Sequence, residues 1–188
     1  DLVMGASRRL QEAGYSVLLT NSEGRPDRDE SMLRLLRWRR IDGLITSLTD
    51  EHQPGTIAEL ERLEVPIVLL DRQVDEMADT TSIVAADHAS GMQAAVEHLL
   101  DLGHRRIALI SGSLNIRPPK DRLVGYRAAF TGRGIEPPGD LLRFESFSPA
   151  FGERMTTELL GLADPPTAII AGGNLLLTGV LRALNTAG

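Results

Sequence analysis

The sequence predicts an α/β protein built as two doubly wound, parallel-sheet lobes, each incomplete. Three observations carry this. Short runs of Val, Ile, Leu and Ala recur along the 188 residues. Amphipathic stretches of helical length separate most of them. Several runs are apolar on successive residues instead of alternating, as parallel strands covered on both faces require. Alternating strand and helix closes into doubly wound sheets through right-handed crossings.

In chain order, the strand signals fall at residues 16–20, 42–46, 66–70, 82–86, 106–110, 141–145 and 167–171. The stretch 90–102 is the clearest helix, with Met92, Ala95, Val96, Leu99 and Leu100 on one face. Gly14 and Gly103 stand where apolar helices stop, and Asp87 is placed to cap the helix after it. Only the link between 70 and 82 reads as an irregular loop. Asp1 to Leu10 read as a helix already under way, and Val180 to Leu184 as an apolar helix with no strand after it, so the chain is expected to be cut at both ends. Arg39-Arg40-Ile41-Asp42-Gly43-Leu44-Ile45 echoes Arg105-Arg106-Ile107-Ala108-Leu109-Ile110. The echo fits two similar lobes, and equally fits any Arg-ended helix feeding a buried strand. The lobe junction is expected near Gly103-His104, giving units 1–103 and 104–188.

Composition narrows the functions. A formal charge of −6 gives no overall attraction for phosphate backbones, so contact with DNA must come from elsewhere. There is no Cys, which removes disulfides, thiolate nucleophiles and cysteine-type zinc sites and fits a reducing, cytoplasmic setting. The apolar runs are far shorter than the roughly 20 residues that cross a bilayer.

In open parallel sheets the ligand crevice lies beyond the carboxyl ends of the strands. The residues found there are Thr46 and Ser47, Asp71 and Arg72, Ser111 to Ser113, Phe147, and Gly172-Gly173-Asn174. One acid, amides, hydroxyls and an aromatic suit a polyhydroxylated ligand. Oxygens accept from its hydroxyls, a guanidinium donates in a planar fork, and a ring covers its C–H face. Each residue also has a plainer reading. Asp71 serves as a turn cap, Phe147 as a core residue, Asn174 as a helix cap, and Arg122, at the start of the helix after loop 114–120, as an exposed salt-bridge partner.

Other signals are weaker. The basic stretch Arg34-Leu35-Leu36-Arg37-Trp38-Arg39-Arg40 invites a nucleic-acid reading, but its Leu residues form a buried helix face and its Arg residues suit a helix C-terminus. His52, His88, His98 and His104 lack metal-ligand spacing, so no metal is expected. Gly132-Arg133-Gly134 runs into Pro137-Pro138 and cannot open a dinucleotide-binding helix, so no cofactor is expected. Ser111-Gly112-Ser113 is no nucleophile elbow, and no nucleophile, base and oxyanion set is visible. An enzyme is therefore not expected.

Several segments together resemble LacI/GalR transcription repressors. They are Arg40 to Ile45, Asp87-His88-Ala89-Ser90-Gly91 with Ala95 to Leu99, Leu102-Gly103-His104-Arg105-Arg106-Ile107, Arg122-Leu123-Val124-Gly125-Tyr126, and Pro166 to Ala171. The resemblance covers nearly the whole chain in order. It implies an effector-binding region of the periplasmic-binding-protein-like type I architecture, with a sugar-like effector held between two lobes to modulate DNA binding. It also implies a homodimer, and operator DNA read by a helix-turn-helix outside this chain. By the same resemblance Asp71 matches an acid that holds effector hydroxyls, Arg122 the effector-binding arginine, Phe147 a stacking aromatic and Asn174 a polar residue opening the last helix. Gly173 departs from the pattern, since many members carry Asn there. A periplasmic sugar-binding protein for transport shares the architecture and is the alternative.

Overall fold

A computed structural model describes residues 2–188. It contains two three-stranded, all-parallel sheets. The first is ordered β1-β2-β3, from β1 (Leu44–Thr46), β2 (Ile67–Leu70) and β3 (Thr81–Val84). The second is ordered β5-β4-β6, from β4 (Ile107–Gly112), β5 (Leu142–Glu145) and β6 (Ala168–Ala171). The helices are α1 (Leu2–Glu12), α2 (Pro26–Trp38), α3 (Pro54–Glu61), α4 (His88–Asp101), α5 (Arg117–Thr131), α6 (Pro149–Leu160) and α7 (Asn174–Ala187); α1 and α2 follow one another, and from β1 onward helices alternate with strands except between β2 and β3. In the irregular link between β2 and β3 the chain makes one 3₁₀ turn, at Asp75–Met77.

Six of the seven expected strands are present; the one at 16–20 is not. Those residues take no ladder partner, and Val17, Leu18 and Leu19 are exposed. β1 pairs with β2 alone and is an edge of its sheet. An apolar run becomes a strand only where a neighbour accepts its backbone hydrogen bonds, and among the described residues no strand lies beside 16–20. β4 shows the opposite case. It is paired on both sides, to β5 and β6, and all six of its residues are buried, as its unbroken apolar run requires.

The punctuation read from sequence has a physical basis in each case. Gly14 and Gly103 follow their helices at φ of 85° and 94°, a region that L side chains avoid. Asp87 caps α4, its side chain accepting from the Ser90 N–H at 3.0 Å.

Core packing assigns α4 to a sheet, which periodicity alone cannot do. Met92, Val96 and Leu100 share a core with Ile107, Leu109, Tyr126 and Phe130, so α4 packs with the second sheet although it precedes the expected junction at Gly103-His104. Leu33, Leu36, Leu44, Leu60, Ile67 and Leu69 form the core of the first sheet. Arg34 and Arg37 of the basic stretch reach the buried carboxylate of Glu59 on α3, at 3.6 and 3.4 Å.

Tyr126 is fully buried, and its hydroxyl donates to the Ile107 carbonyl at 2.7 Å. Replacing it by Phe is expected to cost about 1 kcal/mol in urea unfolding at neutral pH. Burial also raises the Tyr126 phenol above its ordinary value of 10.0. The unfolded chain then loses this proton as pH rises past 10 while the folded chain keeps it, so stability falls with pH in that range. In the Phe variant that part of the alkaline slope should be absent.

Candidate functional site

Between the two sheets lies a cavity of about 360 Å³. Ser47, Leu70, Asp71 and Arg72 line it from the first sheet, His88 from the start of α4, Ile116, Pro118 and Arg122 from around α5, and Phe147, Gly172 and Gly173 from the second sheet. Most of these residues follow the carboxyl end of a strand. The structure therefore brings Asp71, Arg122 and Phe147 into one cavity. Asn174 is not part of its lining. It is exposed as the first residue of α7, and the helix cap is Gly173, so the expected capping role does not hold. The extended Gly173 backbone already begins the helix, which places the Asn174 side chain outside the cap position.

Asp71 is held in an uncommon conformation. Its φ is 51°, in the left-handed region that Asp tolerates better than most residues. The Asp71 N–H donates to the Val84 carbonyl at 2.9 Å, and Oδ1 accepts from the Ala86 N–H at 2.8 Å. The plainer reading placed Asp71 as the cap of a turn after its own strand, β2; its side chain instead holds the backbone at Ala86, beyond β3. That bond occupies Oδ1, and no hydrogen bond reaches Oδ2 among the described residues.

Arg122 is half-buried, and burial is the main influence lowering its pKa, opposed by the charges of Asp71 and Asp121. A guanidinium remains protonated all the same. One of its nitrogens, Nη2, lies 3.4 Å from His88 Nδ1. The other, Nη1, is shut off from solvent and has no partner among the described residues. His88 Nε2 is also enclosed and unpartnered, 3.3 Å from Asp71 Oδ1. His88 thus stands between the acid of one sheet and the arginine carried by α5.

Sequence reasoning passed over His88 after testing it only as a metal ligand. The signal was available, because His88 follows the carboxyl end of β3, one of two expected strands whose ends were left uninspected. Among the described residues no cluster of three or more His, Cys, Asp or Glu side chains is arranged to hold a metal ion.

Phe147 is partly buried, and its ring packs on the third core cluster while one face borders the cavity. Two glycines make room for it. A Cβ on Gly112 would stand 2.1 Å from Phe147 Cε2, and one on Gly173 would stand 3.1 Å from Cδ1. Gly173, where the sequence departs from the resemblance, is thus part of the seat of the ring. Arg72, beside Asp71, turns its guanidinium onto the carbonyls of Leu48 and Asp71. Burial lowers its pKa, with Glu51 the leading opposing charge.

An enclosed, unpaired guanidinium N–H, an imidazole nitrogen and a carboxylate oxygen that converge on one cavity can bind a compact molecule rich in hydroxyls, with the Phe147 ring along its apolar side.

The ribose operon repressor of Escherichia coli strain K12 is 34% identical over 185 residues, covering 98% of this chain and 55% of that protein. The HTH-type transcriptional repressor PurR of Shigella sonnei is 26% identical over 188 residues, 100% of this chain and 55% of its own length. The chain therefore spans about half the length of these curated relatives. The solved complex of the transcriptional regulator CelR with cellobiose matches with a TM-score of 0.86 at 29% identity, over 100% of this chain and 57% of that one. No helix among the described residues is long and apolar enough to cross a membrane. The family model described as periplasmic binding proteins and sugar binding domain of LacI family matches residues 1–188. A cavity between two parallel sheets, lined from their carboxyl ends, and a match over the full length lead to one conclusion: the chain belongs to the family of periplasmic binding proteins and LacI-family sugar-binding domains.

Proposed function

We propose that this chain is the effector-sensing part of a LacI-type transcriptional regulator, and that it binds a small sugar between two lobes without catalysing a reaction on it. The observation that carries this reading is the enclosed Nη1 of Arg122, a donor without a partner among the described residues, at the wall of a cavity that Asp71 faces from the other sheet. An unpaired buried donor costs stability, and a ligand hydroxyl or ring oxygen satisfies it. At about 360 Å³ the cavity falls within the size range of small-molecule sites. The named relatives are repressors, which supports regulation over transport, and D-ribose is the first sugar to test.

In this reading the lobes divide between β3 and α4, because α4 belongs to the second core, and not at Gly103-His104. The sugar contacts Asp71 from the first lobe and His88, Arg122 and Phe147 from the second, and favours the closed arrangement. It changes DNA affinity only through its difference in affinity between open and closed states, and DNA changes sugar affinity reciprocally. Operator DNA, a homodimer and a cytoplasmic setting belong to the same proposal.

Titration calorimetry of the full chain with D-ribose, D-glucose, cellobiose and fructose 1-phosphate tests it. One of these sugars is expected to bind in the micromolar range. At a hundred times its dissociation constant that sugar should stabilise the fold by about 2.7 kcal/mol, a rise in melting temperature of roughly 5–10 °C. A folded protein that gives neither heat nor a thermal shift with any of the four would overturn the sugar reading.

A further inference from the structure

We infer that Glu51 is a positioning residue for the cavity: its buried carboxylate caps α5 from the other sheet and so sets where Arg122 stands relative to Asp71. The inference rests on the sugar-binding reading for what Arg122 does, and on separate contacts for how Arg122 is held.

Glu51 follows β1, in a Thr-Asp-Glu-His stretch that reads as solvent loop, yet its side chain is only 3% exposed. Its Oε1 accepts two backbone N–H groups from different segments, Gln73 after β2 at 3.0 Å and Arg117 at the start of α5 at 2.9 Å. Its own N–H donates to the Asn115 carbonyl at 3.2 Å. The residues on either side reach across in the same direction. Asp50 Oδ2 accepts from Asn115 Nδ2 at 3.1 Å, and His52 Nε2 lies 2.9 Å from Lys120 Nζ. Lys120 Nζ also stands 3.9 Å from Glu51 Oε2. Three consecutive residues of the first-sheet side are thus all joined to the segment that opens α5.

The opening of α5 explains why it needs an outside partner. The first turn of any helix has N–H groups with no intrahelical acceptor. Ile116 is the cap residue here and has no side-chain oxygen, while Pro118 and Pro119 have no N–H to offer. Arg117 is therefore a first-turn donor that needs an acceptor, and Glu51 supplies it with a charge that the positive helix end favours. Arg122 lies five residues further along, roughly 7.5 Å down the helix axis. Ile116 and Pro118, on either side of the capped residue, themselves line the cavity. Gln73, the other donor to Glu51, follows Arg72 and Asp71 directly. One carboxylate oxygen thus fixes the two segments that bring acid and arginine to opposite walls.

The absence of Cys from the chain makes this directly measurable. Spin labels on Asp79→Cys and Thr131→Cys, exposed positions on the two sides, report the spacing of the halves by pulsed electron spin resonance. In the ligand-free protein with native Glu51, one narrow distance distribution is expected. Glu51→Ala should broaden it about twofold and lengthen its mean. Glu51→Gln should restore it, because the amide oxygen still accepts both N–H groups. Affinity for D-ribose should fall about tenfold in the Ala variant, as the competent arrangement drops to a minor share, and recover in the Gln variant. A distribution in the Ala variant that coincides with the parent overturns the inference. If the Ala variant does not fold, Glu51→Asp decides, because its arm is one methylene too short to reach both amides and an unchanged distribution would be equally fatal. Absence of any D-ribose binding in the parent protein counts against D-ribose as the sugar and leaves the inference standing, since the label distances are read without ligand.

Discussion

Replacing Arg122 by Ala is expected to weaken binding of the best sugar by roughly a hundredfold or more while leaving the unliganded protein at least as stable as before. A hydrogen bond to a charged group contributes about 1.5–3 kcal/mol, and a half-buried guanidinium that reaches a ligand with more than one N–H stands at the upper end of that range. The stability half of the result follows from the enclosed Nη1. A cation held in place with an unsatisfied donor makes the empty protein less stable, and Ala removes that penalty along with the charge. Calorimetric titration and thermal melting of the same variant separate the two roles of Arg122. Lost affinity at an unchanged or higher melting temperature marks a ligand contact. A lower melting temperature with affinity intact would make Arg122 a structural hydrogen-bond partner of His88, and would remove the central observation behind the proposed function.

The second large effect concerns Gly125. A methyl group there would stand 2.1 Å from the Ala89 carbonyl oxygen and 3.0 Å from the Gln93 nitrogen, both on the backbone of α4. Helix backbone cannot yield as a flexible side chain does, so α4 and α5 must move apart along a contact that includes the fully buried Tyr126 and Phe130. Overpacking of this kind costs about 3 kcal/mol, and the better helix propensity of Ala returns about 1. Gly125→Ala should therefore lose about 2 kcal/mol, seen as a lower urea midpoint at unchanged slope. Because α5 carries Arg122, affinity should fall as well. A variant as stable as the parent would show that the two helices are not in the close contact found here.

Much of this fold was legible because a central parallel strand leaves a plain mark on sequence. The run from Ile107 to Ile110 is apolar at every position because both faces of β4 are covered. The stretch 16–20 carries the same mark without the pairing. Composition records a preference for sheet, whereas a strand also needs a neighbour. The face of α4 was legible from spacing, but the sheet it packs on was not, since Met92, Val96 and Leu100 suit either core equally. The repeated Arg-Ile pattern led to two strands in unequal places, β1 at an edge and β4 in the middle of its sheet.

For the cavity, the rule that ligands sit beyond strand ends was sufficient for Asp71, Arg72, Ser47 and Phe147. It would have supplied His88 had it been applied to β3. Asn174 shows the limit of the rule: Gly172 and Gly173 border the cavity, and one residue later the helix has turned the side chain to solvent. Glu51 was out of reach for a different reason. An acid in a polar tripeptide looks solvated until tertiary structure shows it enclosed and bonded to two distant amides.

The glycine behind the Phe147 ring sets the calibre of the chamber. With hydrogen at position 112 the ring lies against β4, and any larger group there would collide with it and force it to move. The room available to an occupant is thus governed from beneath the floor, at a residue outside the chamber lining. A larger residue at position 112 would therefore displace an aromatic plate that borders the chamber while leaving Asp71 and Arg122 where they are.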